Sequence, residues 1–413
     1  MQSAAEVLIV GGGPAGAATA WALAQAGVDA LIVDRARFPR DKPCAEYLSP
    51  QASRILHDMG ALSLAEESGA AQLGGMVVRA PNGAEIRGEF VAEHGFRGFR
   101  DRGLALRRRV LDPLLLARAR AAGARVQEGV RVLDLLRDHG GRVTGVTVTG
   151  DRERGERTLH ARLVIGADGL RSVIARRLGL THTARWPRRV ALVTHFRDVA
   201  GIGESGEMHV ERDGYLGLAD VGNGETNVAL VIPAQLAHAL AGDPAAFLDA
   251  WIARRPHLAP RFAAAHRVSP VRTTGPFAQH SRRAWARGGG AALVGDAADF
   301  FDPFTGEGIY AALRGGELLA PYAIEAARAS TARQADIALA AYDRCRRHEF
   351  AGKWRVERLI GAAVGVPALM NRAANALARH PDMADLLVGV AGDFVPPREV
   401  LRPSYLLKLL STP

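Results

Sequence analysis

The chain has 413 residues, enough for two or three domains, and its 48% hydrophobic and 23% charged content is typical of globular proteins. The formal net charge is +10, but the cations are almost all arginines scattered as pairs and triplets, and lysine occurs only at Lys42, Lys353 and Lys408. This scatter argues against a nucleic-acid-binding surface, and two cysteines, Cys44 and Cys345, argue against a disulfide framework.

The first predicted elements are an apolar strand at residues 7–10, a glycine-rich turn and a helix that runs to Gln25. Gly11, Gly13 and Gly16 supply the spacing G-x-G-x-x-G. The first glycine permits a tight turn, the second permits close approach of a pyrophosphate, and the third permits close packing of helix on strand. Phosphates would then lie on the free N–H groups of the helix N-terminus. The sequence therefore predicts a dinucleotide site.

A second apolar strand, at residues 30–33, ends at Asp34. A carboxylate at this place is suited to the ribose hydroxyls of an adenosine. A loop from Arg35 to Pro50 follows, and then a helix that ends at Met59. The order strand, glycines, helix, strand, acid makes the dinucleotide prediction much more specific than the glycines alone.

The predicted secondary structure changes twice along the rest of the chain. Strands and a helix alternate up to about residue 180, glycine-bounded strands without helices follow up to about 275, and helices dominate from about 309. We therefore predict an α/β fold in which a discontinuous Rossmann-like domain carries an inserted antiparallel sheet and a helical C-terminal region. The predicted boundaries are 1–75, 106–179 and 277–325 for the dinucleotide-binding parts, 76–105 and 180–276 for the substrate domain, and 326–413 for the helical region.

Two later strand ends carry further signals. The strand at residues 163–166 runs into Asp168-Gly169. The strand at residues 293–295 is followed by Asp296, whose carboxylate could accept hydrogen bonds from a sugar-alcohol chain. Gly306 and Gly308 then leave a helix N-terminus free, which would favour the negative charge of a reduced flavin.

Together these segments resemble the flavoprotein superfamily that includes aromatic hydroxylases, geranylgeranyl reductases and flavin-dependent halogenases. The resemblance covers roughly residues 5–320 and implies a glutathione-reductase-like fold that binds FAD. The cofactor-binding residues that it implies are Gly11, Gly13, Pro14, Ala15, Gly16, Asp34, Arg35, Cys44, Ala45, Arg108, Val130, Asp168, Gly295, Asp296, Pro303, Gly306, Gly308 and Ile309.

The resemblance also implies which part of FAD each of these residues would bind. The glycine-rich turn and Asp34 would bind the ADP half, and Val130 would pack near the adenine. Arg108, four residues before Asp112, matches a flavin-contacting arginine. Asp296 would hold the ribityl chain, and the segment 303–308 would face the isoalloxazine. The catalytic residues stay unassigned, with Cys44, Tyr47 and Tyr215 as candidates.

The branch of the superfamily is harder to choose. The halogenase Trp-x-Trp pair is missing, because the tryptophans stand alone at 21, 186, 251, 285 and 354. The reductase loop Lys-Pro-Cys-Gly-Gly-Gly-Leu-Ser-Pro is matched at residues 42–44 and 48–50, but Ala45-Glu46-Tyr47 replaces its glycines. The reductase motif Tyr-x-Trp-x-Phe-Pro retains only Tyr215. Asp168-Gly169 favours the hydroxylase branch, in which the chemistry belongs largely to the cofactor.

We therefore predict an FAD-dependent, NAD(P)H-using monooxygenase of secondary metabolism that hydroxylates an aromatic or polyketide-like molecule through a flavin C4a-hydroperoxide. The alternative is reduction of isoprenoid or other alkene double bonds, and a non-catalytic flavin-binding protein is a third interpretation. Because no second complete G-x-G-x-x-G follows a strand, NAD(P)H would visit transiently, or a separate donor would act.

Surroundings and partners complete these expectations. We expect a small-molecule substrate, no nucleic acid, no metal, and a monomer or homodimer. The first strand begins by Val7 and no apolar run has the length of a membrane span, which favours a cytoplasmic location. The apolar segments 359–370 and 406–410 are expected in the core or a dimer surface, with peripheral membrane contact for a lipid-like substrate as the alternative.

Overall fold

The protein was analysed as a computed structural model that describes residues 4–152, 155–183, 188–240, 242–277 and 279–411. In its first part, strands and short helices alternate. The elements are β1 (Ala5–Val10), α1 (Pro14–Gln25), β2 (Ala30–Asp34), β3 (Tyr47–Leu48), α2 (Ala52–Asp58), α3 (Leu62–Glu67), β4 (Ala71–Leu73), β5 (Gly75–Arg79), β6 (Glu85–Glu89), β7 (Gly103–Ala105), α4 (Arg108–Ala121), β8 (Arg125–Glu128), β9 (Val130–Arg137), β10 (Val143–Gly150), β11 (Glu156–Gly166), α5 (Val173–Arg177) and β12 (Thr181–Thr183).

The second part begins with strands and ends in helices. The elements are β13 (Arg189–Arg197), β14 (Ser205–Glu211), β15 (Gly214–Asp220), β16 (Thr226–Pro233), α6 (Pro244–Ala253), β17 (His266–Arg267), β18 (Arg272–Thr274), β19 (Gln279–Ser281), β20 (Ala291–Leu293), β21 (Asp299–Phe300), α7 (Gly308–Arg328), α8 (Ala332–Val364), α9 (Pro367–Arg379), α10 (Pro381–Ala391), α11 (Arg398–Leu401) and α12 (Pro403–Ser411), with 3₁₀ turns at Ala234–Leu240, Ala259–Phe262, Gly295–Ala297 and Pro303–Thr305.

The described residues form a seven-stranded sheet in the order β8-β2-β1-β11-β10-β9, with β20 also paired to β11. β8, β2, β1, β11 and β20 run parallel, so their carboxyl ends meet at one edge. The long strand β11 joins two parts of this sheet, because its first half pairs antiparallel with β10 and its second half lies between β1 and β20. Helix α1 packs closely on α7, where a Cβ at Gly316 would lie 2.8 Å from the Thr19 nitrogen. The predicted Rossmann-like α/β layer is therefore confirmed.

A second, eight-stranded sheet has the order β17-β13-β16-β15-β14-β5-β6, with β18 also paired to β13. Its strand pairs are antiparallel except β14–β5, which is parallel. Strand β5 belongs to an earlier part of the chain than the other strands around β14 and β15. Helix α6 covers one face of this sheet, with Leu248 and Trp251 fully buried. The other face is covered by the C-terminal helices, including Met370 and Leu377 of α9. Within the described part of the chain, every helix is too short or too polar to span a bilayer.

Candidate active site

The turn after β1 has the geometry that the glycine spacing predicts. Gly11 has φ of +108°, and a Cβ there would lie 2.4 Å from the Ala167 carbonyl oxygen. A Cβ at Gly16 would lie 1.9 Å from the Gly11 carbonyl oxygen. Larger residues are excluded at both positions, because β1, β11 and α1 approach too closely there. Gly13 caps α1 without a side-chain bond, and the first turn of α1 holds no acidic side chain. This N-terminus is therefore suited to an anion.

Two arginines face the same turn. A Cβ at Gly13 would lie 3.6 Å from Arg108 Nη2 and 3.9 Å from Arg40 Nη2. The buried Asp112 carboxylate accepts hydrogen bonds from Arg108 Nε at 2.6 Å and Nη2 at 2.9 Å, and it lies 3.1 Å from Arg40 Nη1. Burial lowers the pKa of Arg108, but Asp112 and Cys44 outweigh burial and raise this pKa above its ordinary value. The guanidinium is therefore held charged beside the glycine-rich turn.

The first two predicted carboxylates have backbone partners. Asp34 accepts hydrogen bonds from the Gly12 N–H at 2.7 Å and from the Ala36 N–H at 2.7 Å, which fixes it beside the turn. Asp168 accepts from the Ser172 hydroxyl and from the Val173 N–H at 2.6 Å, and so caps α5. Arg35 is exposed and Val130 is buried at the start of β9.

The strand end at β20 lies against the same turn. Gly295 has φ of +62°, and a Cβ there would lie 2.9 Å from the Ala15 Cβ. Asp296 is partly exposed and lies 3.4 Å from Lys42 Nζ, which belongs to the loop after β2. Residues far apart in the chain thus form one wall, with a paired carboxylate suited to a polyhydroxyl chain.

The segment before α7 turns towards the loop after β2. Pro303 begins a short 3₁₀ turn that ends at Gly306, whose φ is +73° and whose Cβ would lie 3.0 Å from Tyr47 Cδ1. Gly308 begins α7 without a side-chain cap, and Ile309 is buried behind it. The α7 N-terminus is therefore available to negative charge, as expected for a reduced flavin.

The loop carrying Cys44 is tied to the second sheet by a buried network. Glu46 has φ of +62°, its Oε1 accepts from the Arg108 N–H at 2.7 Å, and its Oε2 lies 2.6 Å from His195 Nε2. Asn227 Nδ2 donates to the Cys44 carbonyl at 2.9 Å and to Glu46 Oε2 at 3.0 Å. The Cys44 sulfur accepts from the Glu46 N–H at 3.3 Å. The network fixes the loop across the cavity mouth.

A cavity of about 1950 Å³, including its part open to solvent, joins this turn to the second sheet. Its wall contains most of the predicted residues: Gly13, Pro14, Ala15, Cys44, Ala45, Tyr47, Arg108, Tyr215, Gly295, Asp296, Pro303, Gly306, Gly308 and Ile309. Gly11, Gly16, Asp34, Arg35, Val130 and Asp168 lie behind or beside that wall. The structure therefore brings the predicted phosphate, ribityl and ring segments to one continuous space.

The candidate tyrosines differ in their partners. Tyr215 is buried and donates to Asp302 Oδ1 at 2.8 Å, and Asp302 also pairs with Arg189. Burial raises the pKa of Tyr215 well above its ordinary value. The Tyr47 hydroxyl is buried with no hydrogen-bond partner among the described residues, and burial also raises its pKa.

Sequence reasoning missed residues whose partners are distant in the chain. The sequence assigns no role to Lys42 or Arg189 and marks Glu46 only as a residue that could line the site. Each of the three is paired with a residue more than a hundred positions away. Lys42 stands in the matched Lys-Pro-Cys segment, which was a signal for it. The departure Ala45-Glu46-Tyr47 from the glycine loop marked Glu46 without identifying its partner His195.

The chain matches the family model described as an FAD binding domain over residues 4–351. The chain belongs to this family. It is an FAD-dependent oxidoreductase.

Two relatives share most of its length. Digeranylgeranylglycerophospholipid reductase 2 of Methanopyrus kandleri is 32% identical over 332 residues, which cover 78% of this chain and 77% of that protein. A menaquinone reductase of Mycolicibacterium smegmatis is 30% identical over 364 residues, covering 78% of this chain and 76% of that protein. The similarity extends well beyond the glycine-rich turn.

Among solved structures, a flavoprotein/dehydrogenase from Cytophaga hutchinsonii has a TM-score of 0.81 at 22% identity and covers 98% of this chain and 96% of that one. A probable FAD-dependent monooxygenase from Pseudomonas aeruginosa has a TM-score of 0.71 at 22% identity, covering 88% and 98%. At this identity the likeness concerns the fold, which agrees with the predicted flavoprotein architecture.

Proposed function

We propose that the protein reduces carbon–carbon double bonds of a prenyl chain, the reaction that the sequence ranked second. The observation that carries this proposal is the cavity wall formed by the second sheet. Ala191 of β13, Gly217 of β15 and Ala229 of β16 line it, with Met208 of β14 beside them. These small and apolar side chains leave a trough that continues from the flavin segments and suits a hydrocarbon chain.

Other residues of the cavity wall are apolar as well. Phe277, Phe300 and Phe304 line the cavity together with Leu170 and Leu73. Aromatic rings and aliphatic side chains offer a large contact area to an isoprenoid without hydrogen-bonding demands. A prenyl chain is therefore a better match for this lining than a charged aromatic acid.

Several polar groups at the wall are satisfied within the protein. Tyr215 and Arg189 both engage Asp302, and the Asn227 amide engages Cys44 and Glu46. A substrate that needed these groups would have to break buried hydrogen bonds, which is costly. An apolar chain makes no such demand.

The proposal agrees with the names of the two relatives, which are reductases of prenyl-bearing lipids. FAD, once reduced, supplies hydride for such a reaction. We propose that the glycine-rich turn and Arg108 hold its pyrophosphate, that Asp34 holds the ribose, and that Asp296 with Lys42 holds the ribityl chain. Gly306 and Gly308 would face the ring, and NAD(P)H remains a predicted transient donor.

Hydroxylation was favoured on the sequence by Asp168-Gly169. The Asp168 carboxylate engages Ser172 and Val173 at the start of α5, so its role there is accounted for by helix capping. No feature of the apolar trough favours an aromatic hydroxylase substrate over a prenyl chain. The prediction of a monooxygenase therefore becomes the competing outcome of the experiment.

The test compares both reactions on FAD-loaded protein. The protein is reduced without air with one equivalent of dithionite per flavin and mixed with a geranylgeranyl glycerolipid, and lipid mass is measured. We expect a gain of two hydrogen atoms per reduced bond and reoxidation of the flavin. Unchanged lipid, together with oxygen incorporation into a phenol when NAD(P)H and air are supplied, would overturn the proposal.

A further inference from the structure

Helix α8 presents one stripe of side chains to the cavity. Tyr342, Arg346, Phe350, Trp354 and Glu357 follow one another at three- or four-residue steps and all line the wall. The Tyr342 hydroxyl donates to the Leu293 carbonyl at 2.9 Å, and the Arg346 guanidinium binds carboxylates. Among the described residues, the Glu357 carboxyl alone of these polar groups has neither a hydrogen bond nor an ion pair.

The cations near Glu357 are already engaged. Lys353, one turn earlier on α8, lies 3.0 Å from Glu307 Oε2 and also pairs with Asp393. Arg189 pairs with Asp302 and donates to the Gly361 carbonyl at 2.7 Å. Glu357 therefore faces the chamber without a cation of its own.

Arg358, the next residue along α8, is exposed and stacks over the Phe301 ring at 4.6 Å. Glu357 itself is half-buried and lines the cavity.

The surroundings of Glu357 favour its neutral form. Burial raises the pKa of Glu357 well above its ordinary value, and the Glu307 and Asp302 carboxylates raise it further. Lys353 and Arg358 act in the opposite direction without cancelling these effects. The carboxylate would lose part of its hydration there, so the site favours a proton on Glu357.

We propose that Glu357 is the catalytic acid that gives a proton to the substrate double bond. The inference rests on the proposed function. One carbon of the double bond gains a hydride from the reduced flavin, and the other gains the proton from Glu357 Oε. The products are the saturated bond, oxidised flavin and the Glu357 carboxylate. Solvent water then reprotonates Glu357, and an external two-electron donor such as a nicotinamide dinucleotide or dithionite reduces the flavin again.

Two tyrosines of the same cavity, Tyr47 and Tyr215, are poorer donors. Tyr215 already donates its proton to Asp302, and Tyr47 lies under Gly306. Burial raises the pKa values of both phenols well above 10, so a neutral carboxylic acid is the stronger acid in the same chamber.

The first test is Glu357→Gln in the full-length, FAD-loaded protein. Flavin reoxidation by a geranylgeranyl glycerolipid is followed by stopped flow without air, together with FAD affinity and thermal unfolding. Because positioned general acids contribute about 10²–10⁴-fold to rates, we expect a loss of that size with FAD affinity unchanged. Glu349→Gln is the matched control on α8, since Glu349 pairs with Arg314. A Glu357→Gln rate within twofold of wild type would overturn the inference.

The second test combines an infrared measurement, which does not depend on turnover, with a pH profile of the reaction. The infrared difference between wild type and Glu357→Gln should contain the C=O stretch of a carboxylic acid at neutral pH, shifted in D₂O. The wild-type reoxidation rate should fall as pH rises through the pKa of Glu357, because only the protonated form donates. Absence of the infrared band would overturn the inference even if the lipid is reduced. A wild-type protein that shows the band but reduces no prenyl lipid would contradict the proposed function instead, and the band would still support a neutral acid at Glu357.

Discussion

The two faces of the eight-stranded sheet differ in side-chain size although the same strands build both. The face under α6 carries Leu192, Leu216, Leu230 and Ile232, all with essentially no exposure. The face towards the cavity carries mostly small residues at the intervening positions, Ala191, Val193, Gly217, Ala219, Ala229 and Val231, with Tyr215 and Asn227 as larger exceptions. Strand alternation sends neighbouring residues to opposite faces, so one strand can fill a core on one side and leave space on the other.

Because of this difference, we expect the α6 face to determine the stability of the sheet and the cavity face to accommodate the substrate. Large residues under α6 bury apolar area and hold the sheet together. Small residues on the other face leave room beside the flavin segments. Substitutions at adjacent positions of one strand should therefore have different consequences.

The largest expected effect is on the α6 face. Leu230→Ala removes fully buried methyl groups and leaves a cavity, so the free energy of unfolding should fall by about 2–5 kcal/mol. Chemical denaturation of the FAD-loaded protein measures this change. Prenyl-lipid turnover below the melting range should stay near the wild-type value. A drop in turnover at unchanged stability would mean that the two faces are not separate in function.

On the cavity face, Ala229→Phe should lower turnover and leave the free energy of unfolding close to that of wild type. Its ring would extend into the trough and displace the prenyl chain, so turnover should fall by roughly 100-fold, as expected when a pocket loses space for several methylene groups. Ala229→Ser keeps the small size and serves as the control. Steady-state kinetics and denaturation of both variants are the measurements. A stability loss as large as that of Leu230→Ala would show that Ala229 faces packed atoms rather than open space.

Much of the cofactor half follows from local sequence. The spacing of Gly11, Gly13 and Gly16 within one short segment suffices to recognise the turn, although the atom nearest to a Cβ at Gly11 belongs to the distant Ala167. The alternation of β15 likewise explains why Tyr215 lies on the cavity wall.

The missed features depend on contacts between distant segments. Glu46 meets His195, Lys42 meets Asp296, and Glu357 reaches the cavity from a helix beyond the recognised motifs. No local sequence pattern specifies these contacts, because they form only when the topology of the two sheets brings distant segments together. The sequence ranks hydroxylation above reduction on Asp168-Gly169, which is a local signal, whereas the small-residue lining of the cavity is assembled from four strands.

A smaller effect is expected on the cofactor side of the cavity. Asp296→Ala removes the proposed ribityl carboxylate, and the loss of one charge-assisted hydrogen bond should weaken FAD affinity by about 10-fold or somewhat more. Fluorescence titration of the FAD-free protein measures this. Ala229→Phe should bind FAD like wild type, so that cofactor and substrate walls are distinguished. Wild-type affinity in Asp296→Ala would mean that the ribityl site lies elsewhere.

The smallest effect concerns Glu207 on β14, which pairs with Arg261. Burial would raise the pKa of Glu207, but hydrogen bonds from Arg261 and His209 lower it to about 2. A depressed acid pKa stabilises the fold above the ordinary value of 4.5, and this stabilisation is lost as pH falls from there towards 2. The melting temperature of wild type should therefore fall more steeply than that of Glu207→Gln in this range. If the melting temperatures of wild type and Glu207→Gln fell in parallel with pH, the ion pair between Glu207 and Arg261 would be contradicted.

The most direct test of the prenyl trough uses chain length. Reduced, FAD-loaded wild type and Gly217→Leu are mixed without air with geranyl and geranylgeranyl substrates, and flavin reoxidation is recorded. A side chain at Gly217 would first meet the Met208 sulfur, 3.2 Å from an added Cβ, within the trough. We predict that wild type is reoxidised by both substrates and that Gly217→Leu loses the geranylgeranyl reaction much more than the geranyl reaction. Equal loss for both chain lengths, or no reoxidation of wild type by either, would contradict the account.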